Sequence, residues 1–419
     1  MIVLLKQIFV GIVFSCYYFP FEFTFLPGIN TKMVLAVIGI MLLSFHWIGE
    51  RNNSVNRDFI SISLWAMAFS LFSLFSVVYN NTTDTVYVTY IVKMWVWYSA
   101  AYTVLCLIRK VHGKIYIRQV FHYMAWVCAV QSVLGILIDN VPVLQQEVDS
   151  LILQDIAFLH KTHRLYGIGA YFDTAGIRFS CALLGLGYLL THKTYENSEK
   201  WYWGLFLIIG ISGNVMSRTT TIGLVISVMY MMVANYSLRA SINASKMKRI
   251  TNAMIIVGLL AGAIFYFYNA NSVFRDYLQY GFEGFFNWYG SNDWSTSSTD
   301  KLQRMVVFPD NMKTWLIGDG WFSHPDYQNA FYKFTDVGYL RFIFYCGTVG
   351  LGLFILFFIN CTYLVCCKGR KNAFFFVLIL LIQLIVWIKI STDIFVVYAL
   401  LLLLDKHEPI EQGGVLTSK

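Results

Sequence analysis

The chain has 419 residues, of which 58% are hydrophobic and 13% charged, with a net charge of +8. Soluble chains carry about 25% charged residues, so this composition excludes a soluble enzyme, a disordered chain, a collagen-like fibre and a nucleic-acid-binding module. Mean hydropathy is +0.59. Apolar stretches near 20 residues recur along the chain, unlike the weak alternation of a β-barrel. The fold class expected is all-α: a polytopic integral membrane protein in one domain over residues 1–419.

In chain order, twelve spans are expected at 7–26, 31–49, 59–79, 87–108, 119–138, 175–191, 201–216, 219–237, 251–268, 336–360, 373–389 and 393–404. Residues 373–404 are too long for one span and short for two, so eleven spans or a re-entrant ending also fit. The first span lacks a cleavage site and reads as a retained helix. With the N-terminus inside, eighteen of the 31 Lys and Arg residues fall in the short even-numbered loops and the two ends. That asymmetry sets the orientation. The eight cysteines form neither a disulfide framework nor a zinc pattern.

Two outer loops are long, 139–174 and 269–335, and the second is expected to carry short helices. Both are rich in acids, and such loops are uncommon unless functional. The second is crowded with aromatic residues, Trp321 and Tyr327 among them. They suit an interfacial belt or a sugar-binding surface. No internal repeat is visible, which argues against a transporter of repeated halves. Glu50–Asp58 also lacks the Gly-x-x-x-Asp-Arg pattern of major facilitator transporters.

Cations within or beside spans are costly, and so are paired, snorkelling or functional. Lys93, Arg178, Arg218 and Arg341 are the four to explain. Arg218 sits in the tight turn Met216-Ser-Arg-Thr219, a fork of donors beside hydroxyls that suits a phosphate. Asp336 and Arg341 are five apart, about 140° apart on a helix, so each should need another partner. His160-Lys-Thr-His163 has a metal-like spacing without further ligands, and Glu147-Val-Asp149 is a weak acidic pair. Nothing visible requires a metal or other cofactor.

Three motifs then carry a resemblance. They are Gly213-Asn-Val-Met-Ser217-Arg218-Thr219; Arg304 followed by Trp315-Leu-Ile-Gly318-Asp-Gly320; and Thr335-Asp336-Val-Gly338-Tyr339-Leu-Arg341, continuing to Tyr345-Cys-Gly347-Thr-Val-Gly350. In this order and topology the chain resembles Wzy-type O-antigen polymerases, within the O-antigen polymerase and ligase superfamily.

The resemblance implies a GT-C-like fold and a glycosyltransferase of the bacterial inner membrane, its N-terminus cytoplasmic and its site periplasmic. It implies transfer of a growing glycan from undecaprenyl pyrophosphate to a new lipid-linked repeat unit, in lipopolysaccharide biosynthesis. Arg218 and Arg304, then Arg178 and Arg341, would stabilise the leaving diphosphate. Asp336 or His324 would accept the acceptor's proton. Tyr339, Trp321, Lys93, Thr219 and Tyr327 would bind substrate. Partners implied are the lipid-linked oligosaccharide, membrane lipids, and the pathway's chain-length regulator and flippase, with no nucleic acid. Ligases place a histidine late in the large loop. Here the nearest is His324, and the motif Thr335-Asp336-Val-Gly338-Tyr339 favours a polymerase over a ligase; the long outer loops and outer-end arginines argue against a flippase or other transporter, and a non-catalytic scaffold would tolerate loss of Arg218 and Arg304.

Overall fold

The computed structural model describes residues 2–49, 57–154, 159, 164–192, 199–237, 266, 268–327, 330–369 and 372–405. The expected ninth span, 251–268, lies almost wholly outside these residues, as do His160 and His163. Five described helices are long and apolar enough to cross a membrane: α3 (Arg57–Tyr79), α4 (Tyr90–His112), α5 (Ile117–Asn140), α7 (Phe172–Thr191) and α14 (Gly338–Lys368). Helices α1 (Ile2–Tyr18), α2 (Thr31–Gly49), α8 (Glu199–Met216), α9 (Thr220–Ser237), α15 (Ala373–Val386) and α16 (Phe395–Leu402) pack with them. The protein is an all-α chain of membrane-protein character.

Helix α3 shows why. Ile60, Leu64, Met67, Leu71, Leu74 and Val78 form an apolar stripe at helical spacing, and the stripe is exposed. Its opposite face buries Ser70, Ser73 and Ser76. A helix in water would place these the other way round. Small residues at helix contacts and large apolar ones outside are what a hydrocarbon solvent selects. At the other extreme stands α7, with 78% of its apolar window buried against 39% for α3. It packs closely on α9, where Ser180 Oγ donates to the Thr219 carbonyl at 3.0 Å and accepts from Gly223 N–H at 3.2 Å. A side chain at Gly223 would collide with the Ser180 backbone.

The first helix ends earlier than the sequence suggests. Apolar counting places span one at 7–26, but α1 stops at Tyr18 and Pro20 follows. Proline and its predecessor disfavour helix. The aromatic run beyond forms β1 (Glu22–Phe23), antiparallel to β2 (Ile152–Leu153) after α6 (Pro142–Leu151). Here the α1–α2 connection and the first long connection share one face. The two long connections meet where Tyr277 Oη donates to Asp139 at 2.6 Å.

The large connection carries α10 (Ser272–Gly281), α11 (Glu283–Ser291), α12 (Ser297–Arg304) and α13 (Met312–Leu316). It is spliced onto α14 at a break, Cys346 (φ −133°) and Gly347 (φ +65°, ψ −177°). A break frees carbonyls that need donors. Asp319 N–H donates to the Phe344 carbonyl at 2.6 Å, and Gly320 N–H and Ser76 Oγ donate to that of Tyr345 at 3.1 and 2.7 Å. A side chain at Gly347 would meet the Leu316 carbonyl. Two of the three sequence motifs are therefore one physical contact.

A second break separates α15 from α16. Gln383, fully buried, spans it: its amide donates to the Thr392 carbonyl at 2.8 Å and accepts from Ile394 N–H at 2.7 Å. Non-helical backbone at such depth is tolerated where protein satisfies it or a cavity lies beside it. With eight residues, α16 rises only about 12 Å. Its last turn meets the opposite face, where Asp405 pairs with Arg109 at 2.8 Å.

Candidate functional site

Beneath the two long connections, charged side chains from five elements gather around the break between α15 and α16. At its upper edge Asp173, in the first turn of α7, accepts from Ser217 Oγ at 2.8 Å, Thr219 Oγ1 at 2.6 Å and Lys389 Nζ at 2.6 Å. The α8–α9 turn is wound tightly by its own hydroxyls. Thr220 Oγ1 donates to the Gly213 carbonyl at 2.9 Å and Thr221 Oγ1 to Asn214 Oδ1 at 2.5 Å. Thr219 thus faces Asp173 while Arg218 projects toward the large connection.

Arg218 is already engaged there. Its guanidinium lies 4.2 Å from the Tyr280 ring centroid and 2.5 Å from Glu283 Oε2. It donates to the Tyr280 carbonyl at 2.8 Å and to Ser298 Oγ at 3.0 Å. Glu283 in turn accepts from Ser297 N–H and Oγ at 3.0 Å. Arg218 therefore pins α10, α11 and α12 to the bundle. Burial raises the Tyr280 hydroxyl, opposed by Arg164 and Arg218.

Asp336 and Arg341 correct the sequence expectation, since they pair with each other at 3.1 Å. The 140° separation assumed helix throughout, but the helix begins at Gly338 and Asp336 sits on extended chain before it. Nor does Arg341 lie one turn into a continuous span, because the break at Cys346 and Gly347 sets it on a short segment at the loop face. Its guanidinium lies 3.9 and 3.4 Å from the Phe322 and Phe331 ring centroids. Burial raises the Asp336 carboxyl above the usual carboxylate range, against the pull of Arg341. The fields of Asp173, Lys389 and Lys301 also reach it.

Deeper lie Arg178, Lys32 and Lys93, the cations whose fields act on Asp393. Asp393 accepts from Phe395 N–H at 2.9 Å at the start of α16. Arg178 packs over Phe19 at 5.6 Å and Trp97 at 5.9 Å, and Lys32 over Trp97 at 4.5 Å. Lys93 Nζ donates to the Val86 carbonyl at 2.6 Å. Tyr87, whose hydroxyl donates to the Ser391 carbonyl at 3.2 Å, lies within the fields of Arg341 and Asp393. It joins the upper and lower groups. The field of Asp84 also reaches Lys93, and that of Glu22 reaches Lys32.

The other sequence candidates are dispersed. Arg304 is exposed at the last residue of α12, and no described contact joins it to Arg218. His324 accepts from Asp326 N–H at 3.2 Å, with Tyr327 and Phe334 rings at 4.8 and 4.9 Å. Its segment carries both rings that hold Arg341. Tyr339 Oη donates to the Leu384 carbonyl at 2.8 Å and its ring abuts Trp387 at 6.0 Å, positions that support the break. Trp321 is half-buried beside Phe322. Lys333 and Phe334 (φ +55° and +54°) are strained left-handed residues leading into Asp336.

Sequence reasoning missed Lys32, Asp173, Lys389 and Asp393. A signal was present in Lys389-Ile-Ser-Thr-Asp393, a polar run between two strongly apolar stretches. Among the described residues no three His, Cys, Asp or Glu side chains gather as a metal site. Compared with family models, curated proteins and solved structures, the chain finds no match in any of the three.

Proposed function

We propose that the protein is a polysaccharide polymerase. It joins undecaprenyl-pyrophosphate-linked oligosaccharide repeat units at the periplasmic face of a bacterial inner membrane. The observation that carries this reading is the group of cations whose fields converge on Asp393 beside the second break. Lys32, Lys93 and Arg178 act together on Asp393 from three helices, at a depth where cations are costly. Such residues mark a path for an anion, and a lipid diphosphate brings its charge to that depth on an apolar tail.

In this scheme an acceptor sugar hydroxyl attacks the anomeric carbon of the donor glycan. A new C–O bond forms as the bond to the diphosphate oxygen breaks. The leaving lipid diphosphate takes the electron pair, and fixed cations at Arg178, Lys32 and Lys93 stabilise its growing charge. The hydroxyl proton passes to Asp336, whose burial-raised carboxyl suits a proton acceptor. Arg218 holds the covering helices, and Thr219 helps to fix Asp173 and Lys389 at the upper rim. Arg341 sets the charge of Asp336. A ligase reading keeps the same cation group and is favoured by the place of His324, on the segment that holds Arg341.

The test is a clean deletion in the source organism, with its lipopolysaccharide resolved on a gel beside the complemented strain. Core bearing one repeat unit and no ladder supports the polymerase. Bare core with accumulated lipid-linked polymer supports the ligase. An untouched ladder, with every other surface polymer also unchanged, overturns the proposal.

A further inference from the structure

The large connection carries an aromatic surface that neither the breaks nor the cation group use. Trp288, on α11, stacks on Trp294, with ring centroids 5.1 Å apart and planes inclined by 21°. Phe285 adjoins Trp288 at 6.1 Å, and Tyr289 follows it in the chain. Trp294 is 62% exposed, Trp288 40% and Tyr289 83%. Each indole of the pair covers one face of the other, and the outer faces stay open to solvent. Exposed rings clustered within a polar rim mark a binding surface.

The turn beyond α11 holds the pair in place. Asn292 adopts a left-handed conformation (φ +59°), which asparagine tolerates. Its N–H donates to the Trp288 carbonyl at 2.9 Å. Asp293 accepts from Ser295 N–H at 2.9 Å and from Ser295 Oγ at 2.7 Å. Asn287 Nδ2 donates to the Ser295 carbonyl at 2.8 Å and ties the turn back to the helix. Hydrogen bonds on both sides of Trp294 thus fold it onto Trp288. Rings fixed before a ligand arrives lower the cost of binding.

Composition decides between a lipid and a sugar as the occupant. From Gln279 to Asp300 the chain has no Leu, Ile, Val, Met, Lys or Arg, and Asp293 and Asp300 are acidic and exposed. A membrane-surface helix sets aliphatic side chains into the acyl layer and Lys or Arg against the phosphates. This segment supplies neither, and its exposed acids are repelled by an anionic leaflet. Between the rings lie hydroxyls and amides, among them Asn287, Ser291, Asn292 and Ser295. Flat apolar faces beside short hydrogen-bonding groups suit a sugar ring, with its C–H face and hydroxyl rim. Exposed acids without a cation select an uncharged sugar over an acidic one.

We infer that the Trp288–Trp294 platform binds an uncharged stretch of glycan and holds the growing chain beside the site. Arg218 pins Glu283, the first residue of α11, to the bundle. Trp288 lies five residues on, about 7.5 Å along the helix. The role in holding a growing chain rests on the polymerase reading, whereas the binding itself does not.

Titration of the full-length protein in detergent, followed by saturation-transfer NMR, tests the binding. The probe is the delipidated surface polysaccharide of the source strain. The wild type is expected to bind it equally at low and high salt. Trp294→Ala should weaken binding about tenfold, and Trp294→Phe, which keeps a ring, by less. Trp201→Ala removes an exposed indole on α8 and should change nothing. Undiminished binding in both Trp288→Ala and Trp294→Ala overturns the platform, as does a wild type that does not bind. An equal loss in Trp201→Ala overturns it in favour of general adhesion to exposed rings. Loss of wild-type binding at high salt overturns the assignment to an uncharged sugar. The complemented deletion strain separates the platform from the polymerase reading. Shorter chains from Trp294→Ala, with a ladder retained, support the role. A wild-type ladder from that variant overturns the role and leaves the polymerase standing. A deletion that changes no surface polymer removes the polymerase reading, and the titration still decides the platform.

Discussion

Arg218 and Arg178 lie near the loop-facing ends of neighbouring helices, yet they do different work. Arg218 stacks on Tyr280, pairs with Glu283 and bonds Ser298, so its donors hold the large connection in place. Arg178 lies over the Phe19 and Trp97 rings, and its field reaches Asp393 together with those of Lys32 and Lys93. One charge is balanced by protein. The other is one of three cations acting on Asp393, and the proposed function gives it an external anion. A sequence motif draws the eye to the first arginine, whereas the electrostatic balance draws it to the second.

The largest expected effect is therefore at Arg178. Arg178→Ala should lower polymer formation about 10²–10³-fold, the cost of losing a donor aimed at developing charge. Protein level should hold, and gel ladders in the complemented deletion strain measure the rate. Next comes the rim. Lys389→Met leaves Asp173 partly buried without its cation and should cost about 3 kcal/mol of resistance to denaturation. Adding Asp173→Asn should return part of that cost, and strictly additive losses would deny the pairing.

Arg218 is expected to behave as a structural tie. Arg218→Ala and Glu283→Gln should each cost about 1–2 kcal/mol, since both side chains are partly exposed, and the pair should be non-additive. The measurement is thermal melting of the detergent-solubilised protein, read beside activity. If Glu283→Gln is harmless while Arg218→Ala abolishes turnover, Arg218 acts on substrate and the contrast fails.

Arg341→Gln sharpens the role of Asp336. Burial raises this carboxyl and Arg341 pulls it down. Without Arg341 the carboxylate form is lost at a higher pH as pH falls, so the acidic limb of the rate profile should move upward. Lys301→Gln should move it the same way by less, because Lys301 is exposed and its field is screened.

Much of the helical framework was legible in the sequence because 20-residue apolar runs declare themselves. Helices α2 to α5 and α7 lie within a few residues of their expected bounds. The first helix did not, because Phe19 to Leu26 count as apolar while Pro20 forbids the conformation. The Asp336–Arg341 pair was misread for a related reason, since angular spacing applies only where the backbone is helical. Lys389 and Asp393 were read as the facing ends of the last two spans, though a polar run in so apolar a region is itself a signal. Asp173 was visible only as one acid among many. Its importance comes from Thr219 and Lys389, which are distant in sequence.

The central claim is that the cation group beside the second break receives a lipid diphosphate. Equilibrium binding of labelled undecaprenyl diphosphate to the purified protein tests it most directly. The account predicts binding by the wild type and by Glu283→Gln, with a loss of about tenfold or more in both Arg178→Gln and Lys32→Gln. Undiminished binding in those two variants, with loss in Glu283→Gln instead, would contradict it and move the diphosphate to the Arg218 turn.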